Sequence, residues 1–215
     1  MGNWARKTPW LTVGRCGFDF RALLRYTARM FPETLSRKRA LQVLYWNAVV
    51  AALAVAIAAA VALRRAHRYD RLIVEISQEH GLDARLVSAL IWRESRYDAR
   101  CVGKAGEIGL MQVTEGAAGE WARAARVRPF RKETLFDPRT NVMAGCWYLA
   151  RAIRLWSDRP DPLPYALAEY NAGRQNAVRW AGAAGQDGSA FIQSISYPTT
   201  QRYVKDILKR YRRRI

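Results

Sequence analysis

The chain has only two histidines and three cysteines in 215 residues. No C-x-x-C pair and no histidine cluster occurs, so no spacing suggests a metal site. Acidic residues are scarce beside basic ones, 18 against 36, which leaves a formal net charge of +18. Alternating apolar and polar runs of strand length are missing, and no segment repeats. A helical, strongly basic protein remains. Such charge suits an anionic partner (nucleic acid, lipid headgroups or an acidic polymer) or marks a solvated surface. No nucleic-acid motif accompanies it, which argues against DNA or RNA.

Long apolar runs are also scarce, with one exception. Residues 44–63 carry no charge, and twenty helical residues span a bilayer core of about 30 Å. Tyr45 and Trp46 stand at one end, where aromatic anchors belong. Arg37-Lys38-Arg39 and Arg64-Arg65 flank the run. These features predict one transmembrane helix over 44–63. Ahead of it lies a basic cytoplasmic arm, 1–43, with a short helix around residues 20–30. A start at Met30 would instead make the run a cleaved signal peptide, with Ala58-Ala59-Ala60 as one candidate cleavage site. Basic residues balance close to the run, but residues 1–43 hold nine basic and two acidic residues, a lean toward N-inside. Cys16 then stays in a reducing compartment, while Cys101 and Cys146 are either a disulfide or two buried thiols.

The remainder, 66–215, is long enough for one domain with its own core. Leu72, Ile73 and Ile76 predict a helix over 69–80, stopped by Gly81. Asp83 suits the N-cap of a second helix that runs to about residue 97. Residues 98–109, with Gly103, Gly106 and Gly109, read as a loop; a small hairpin near 98–113 fits the same residues. A short helix carries Trp121. Asp137-Pro138 signals the start of a longer one, with Val142, Cys146, Leu149, Ile153 and Trp156 inward. Pro164 opens a helix ending at Gly173, and a short helix covers 176–181. Residues 182–188 read as a flexible loop. The last helix, about 200–212, presents Tyr203, Val204, Ile207, Leu208 and Tyr211 on one side.

Glu94 is the residue out of place. Leu86, Leu90 and Glu94 are spaced i, i+4, i+8, so the carboxylate shares a helical face with two leucines. An acid there is either an ion pair at a helix end or a tool. In dry surroundings its pKa rises and it stays protonated near neutral pH, as a general acid must.

Three blocks follow in order: Glu94-Ser95, Gly106-Glu107-Ile108-Gly109-Leu110-Met111-Gln112-Val113, and Ala168-Glu169-Tyr170-Asn171-Ala172-Gly173. Together they resemble the catalytic domain of the soluble-lytic-transglycosylase-type (SLT) family. The resemblance extends over roughly residues 66–208 and implies an all-α, lysozyme-like fold. It implies cleavage of the peptidoglycan β-1,4 bond between N-acetylmuramic acid and N-acetylglucosamine, with 1,6-anhydromuramoyl ends and no metal or cofactor. Glu94 would be the catalytic acid and base. Ser95, Met111, Gln112, Tyr170 and Asn171 would contact substrate or brace the glutamate, with Tyr170 bonding its carboxyl. Ser95 would bond substrate or orient Glu94, Met111 would face a sugar ring, and Gln112 an acetamido or hydroxyl group. Met111 and Tyr170 read equally as core residues. The implied partners are peptidoglycan glycan strands, the cytoplasmic membrane and cell-wall machinery. The implied location is a single-pass anchor with the domain on the periplasmic side.

The pattern departs from the family in places. Thr199-Thr200-Gln201 stands where many members have Glu-Thr-Arg ahead of the Tyr-Val pair, here Tyr203-Val204. Glu107 and Glu169 stand where small residues are common; Glu107 either raises the pKa of Glu94 or faces water, and Glu169 is expected in water. Two alternatives stay open: a goose-type-lysozyme-like hydrolase, which would need Asp98 or Glu107 to position water, and a non-catalytic wall-binding module.

Overall fold

Alanine is the strongest helix former and the 44–63 run is rich in it. In the computed structural model, which describes residues 37–184 and 186–213, that run lies inside one helix, α1 (Arg37–Arg68). The expected arm, its short helix around residues 20–30 and Cys16 lie outside the described residues, apart from the arm's last residues in α1. Within α1, Lys38–Val61 is long and apolar enough to cross a membrane. Leu44, Leu53, Val55, Ile57 and Leu63 all expose their side chains. The chain divides after Ala58 into two units, and the helices after α1 all belong to the second.

Helices α2 (Asp70–Glu79) and α3 (Ala84–Ser95) are joined by a short turn in which Gly81 adopts a φ of +66°. Asp83 caps α3 by accepting a hydrogen bond from the Arg85 amide at 2.8 Å. Its carboxyl pKa is lowered to about 2, chiefly by the Arg85 side chain. Two consecutive left-handed residues, Arg96 and Tyr97, turn the chain sharply after α3. Neither is glycine, so the turn is strained. It is held by the buried Tyr97 ring, whose hydroxyl meets Ser88.

Residues 98–113 form the loop that the glycines predicted, with isolated antiparallel bridges Val102–Ile108 and Ile108–Val113 in place of a full hairpin. Thr114 caps α4 (Glu115–Ala124), and a 3-10 turn, Lys132–Phe136, leads to Asp137. Asp137 caps α5 (Pro138–Leu155) as expected, accepting from the Thr140 amide at 2.8 Å. Helix α6 (Leu163–Ala172) runs through the middle of the unit, with every residue from Pro164 to Glu169 buried. Helices α7 (Arg174–Ala184), α8 (Gly188–Ser194) and α9 (Pro198–Arg212) complete the unit. α9 packs on α3 and α6, α5 on α4 and α6, and α2 on α3 and α5.

Two expectations need correction. The short helix expected over 176–181 spans Arg174–Ala184 and takes in the first part of the expected 182–188 loop, and a further helix, α8, begins at Gly188. Asp187 explains the start of α8: its carboxylate accepts from the Ser189 and Ala190 amides and begins the helix at Gly188. α8 then inserts Phe191 into an aromatic stack with Tyr165 and Trp156. Tertiary burial of that ring outweighs the poor local propensity of a glycine-bounded segment.

Candidate active site

Glu94 occupies the last turn of α3, with Leu86 and Leu90 buried beneath it on the same face. Its Oε1 accepts a hydrogen bond from the Tyr203 hydroxyl of α9 at 2.5 Å. Glu94 retains partial exposure, so a ligand can reach it, but its carboxyl is crowded by protein. The carboxyl pKa is raised to about 7. Desolvation is the main cause; the Tyr203 bond and the Arg93 charge pull it down, and Glu107 adds a smaller push upward. The Tyr203 hydroxyl is held well above the ordinary phenol value, first by burial and then by the Glu94 charge, so it stays a donor. Arg93 lies over the Tyr203 ring, 5.3 Å from its centre, and its Nε is 3.4 Å from Asp206.

The loop over 106–113 sits against this end of α3, and three side chains clamp its backbone. The Ser95 hydroxyl donates to the Leu110 carbonyl at 2.8 Å. Asn141, fully buried on α5, accepts from the Met111 amide and donates to the carbonyls of Ile108 and Leu135. The Tyr170 hydroxyl donates to the Met111 carbonyl at 2.9 Å. Gly109, at φ +80°, lets the backbone close on this bracket; a Cβ there would lie 2.3 Å from Asn141 Nδ2.

The predicted site residues therefore separate. Ser95 and Tyr170 are braces for the loop, and Tyr170 does not make the bond to Glu94; Tyr203 does. Met111 does not offer a surface to a sugar ring: it is fully buried, packed on Gly145, where a Cβ would meet its sulfur at 2.5 Å. Gln112 keeps partial exposure in a left-handed conformation, with Nε2 donating to the carbonyls of Cys101 and Gly109. Asn171 is exposed, and its Oδ1 accepts from Thr200 at 2.8 Å. At the positions of the missing Glu-Thr-Arg pattern, Thr200 makes that bond and Gln201 donates to the Ile192 carbonyl.

Glu169 is a correction. It does not face water: it is buried and accepts from Trp156 Nε1 at 2.8 Å and from Arg174 at 2.9 Å. Two donors satisfy the carboxylate inside α6, which is what makes its burial tolerable. Glu107 is turned partly inward, accepting from the Ala105 amide at 3.0 Å. Cys101 and Cys146 are not bonded to each other; Cys146 is buried, which pushes its thiol up to about 12. Among the described residues, no three His, Cys, Asp or Glu side chains are grouped to hold a metal ion.

Tyr203 and Asn141 are the site residues that sequence reasoning missed. Tyr203 stands on an apolar helical face and reads as core. Asn141 had a signal: a polar residue four positions before Gly145 on the inward side of α5.

The family model for the transglycosylase SLT domain matches residues 71–191, and the chain belongs to that family. Among solved structures, it is similar to the 70-kDa soluble lytic transglycosylase SLT70 from Escherichia coli, with 26% identity and a TM-score of 0.61 over 66% of this chain and 23% of that one. The complex of the 70-kDa soluble lytic transglycosylase with bulgecin A gives 26% identity and a TM-score of 0.62 over 68% of this chain and 24% of that one. An inactive mutant of lytic transglycosylase Slt from Pseudomonas aeruginosa gives 23% identity and a TM-score of 0.60, covering 66% and 23%. The chain thus spans under a quarter of the length of these proteins. Its fold is theirs, nearly all helical and lysozyme-like.

Proposed function

We propose that this protein is a membrane-anchored peptidoglycan lytic transglycosylase, with Glu94 as its catalytic acid and base. The observation that carries this reading is the Glu94 carboxyl itself: partly accessible, raised to about 7 and aimed by one phenol hydroxyl. A carboxyl of that pKa is divided between acid and base at neutral pH, which suits a group that must do both jobs in turn. In the first step protonated Glu94 gives its proton to the glycosidic oxygen as the C1–oxygen bond breaks. In the second, the Glu94 carboxylate takes the proton of the muramoyl 6-hydroxyl, whose oxygen closes onto C1. The product is a 1,6-anhydromuramoyl end, no water is consumed, and Glu94 finishes protonated.

The substrate supplies its own nucleophile, so no second carboxylate is needed where ordinary glycosidases use two. Gln112 and Asn171, which keep exposure, contact the glycan in this reading, and Ser95, Tyr170 and Asn141 hold the loop that carries Gln112. In this reading residues 1–43 are the cytoplasmic arm, 44–63 cross the cytoplasmic membrane, and 66–215 work on the periplasmic side, where peptidoglycan strands lie. Product analysis tests it. Full-length protein digesting purified peptidoglycan is expected to leave anhydro ends by mass spectrometry, and Glu94→Gln to leave the glycan intact. Reducing ends would identify a hydrolase of the goose-lysozyme kind. Undiminished cleavage by Glu94→Gln would overturn the site assignment.

A further inference from the structure

Beyond the site, α9 carries a second constellation that the reaction does not use. Its outward face is a basic stripe: Arg202, Lys205, Lys209 and Arg212 are all exposed and spaced to fall along one side of the helix. At the end of that stripe is a surface recess of about 300 Å³ lined by Trp92, Asp206, Lys209, Arg210 and Arg213. The half-buried Trp92 ring contacts two guanidinium groups, Arg96 at 3.2 Å and Arg210 at 4.0 Å from its centre. The one acid in the recess, Asp206, is paired with Arg93. Cations with long aliphatic stems, gathered around an amphipathic aromatic ring, match a membrane surface: the stems and ring meet the apolar boundary and the charges meet phosphates.

We propose that this face of α9, with Trp92 and Arg210, docks on the phosphate headgroups of an anionic membrane surface. The inference rests on the reading of α1 as a membrane span. Because α1 immediately precedes the catalytic unit in the chain, lipid is present at high effective concentration, and individually weak contacts suffice. Each Lys or Arg near an anionic bilayer contributes modestly, and several on one face act together. Docking would hold one side of the unit to the membrane and set which glycan strands Glu94 reaches.

The test uses the full chain reconstituted in nanodiscs, one set of phosphatidylcholine alone and one with phosphatidylglycerol added. Amine acylation, read by mass spectrometry, reports the exposure of each lysine. Lys205 and Lys209 are expected to react about fivefold more slowly in the anionic discs, with Lys104 unchanged. High salt is expected to remove the protection, and so is the double variant Arg210→Gln/Arg213→Gln. That variant should still cleave soluble glycan fragments as wild type does. Equal labelling in the two lipids overturns the docking and leaves the anchor intact. Protection by acidic wall fragments in neutral discs, with anionic lipid ineffective, also overturns it and makes wall polymer the ligand. Failure of the chain to enter either disc overturns the span and the docking together.

Discussion

Replacing Tyr203 by Phe isolates one contribution to the acidity of Glu94. The substitution removes the hydroxyl that donates to Oε1 at 2.5 Å and keeps the buried ring that packs α9 on α3. A hydrogen bond to a charged group contributes about 1.5–3 kcal/mol, and about 1.4 kcal/mol corresponds to one pKa unit. The lost bond favours the ionised carboxylate, so the pKa of Glu94 must rise from its value of about 7, by roughly one to two units. Desolvation and Glu107 still push upward, and Arg93 alone is left to oppose them. The protonated form starts the reaction, so the alkaline limb of kcat/KM should move to higher pH by that amount. At pH 6 kcat should fall, because the carboxylate that must act as base is less stable and less well aimed. The assay is release of soluble anhydro products against pH, with thermal melting to show that the fold survives. An alkaline limb that stays in place or moves to lower pH would refute the assignment of Tyr203 as the group that stabilises ionised Glu94.

Three further outcomes are expected. Glu94 titrates near 7 when folded and near 4.5 as an unperturbed carboxyl, so the folded state binds the extra proton between those values. Its contribution is fully favourable below pH 4.5 and declines as pH rises to 7, by at most about 3 kcal/mol given its partial exposure. Glu94→Gln should therefore be more resistant to urea than wild type at pH 8, with the gap closing at pH 4.5; no gap at pH 8 would count against a desolvated carboxyl. Asn141→Ala strips the Met111 amide and the Leu135 carbonyl of the partner Asn141 gives them, while the Ile108 carbonyl keeps its bond from the Val113 amide, at a cost of about 2–4 kcal/mol. Cleavage should drop with it, since the loop bearing Gln112 loses its bracket; denaturant midpoint and activity measured together check both. Gly109→Ala drives a methyl group into Asn141 and the Leu135 carbonyl at a φ of +80°. It should lower stability by more than about 1 kcal/mol, and a variant that melts and cleaves as wild type would show that the close approach is unimportant.

Local rules carried much of the fold. Asp83, Thr114 and Asp137 each end a loop with an oxygen placed to accept a helix amide, and Gly81 stops α2 where a left-handed residue is needed. Those interactions reach only a few residues along the chain, so they are written in adjacent letters. α8 was not legible, because its order comes from Phe191 stacking on a ring in α6. Glu169 was misread for the same reason: its partners Trp156 and Arg174 sit on either side of α6, and nothing in the motif says that they converge.

The sequence by itself determined that the protein is helical and basic, that it has one apolar run of membrane length, and that its motif blocks place a glutamate on a leucine face. Each follows from composition or from spacing within one helix. Only the tertiary structure decided what surrounds that glutamate. Tyr203 reaches it across 109 positions of chain. Met111 disappears into the core while its backbone is clamped from α5 and α6. Periodicity marks which side of a helix faces inward, whereas the partner met there depends on how separate helices pack, and that packing sets the acidity of Glu94.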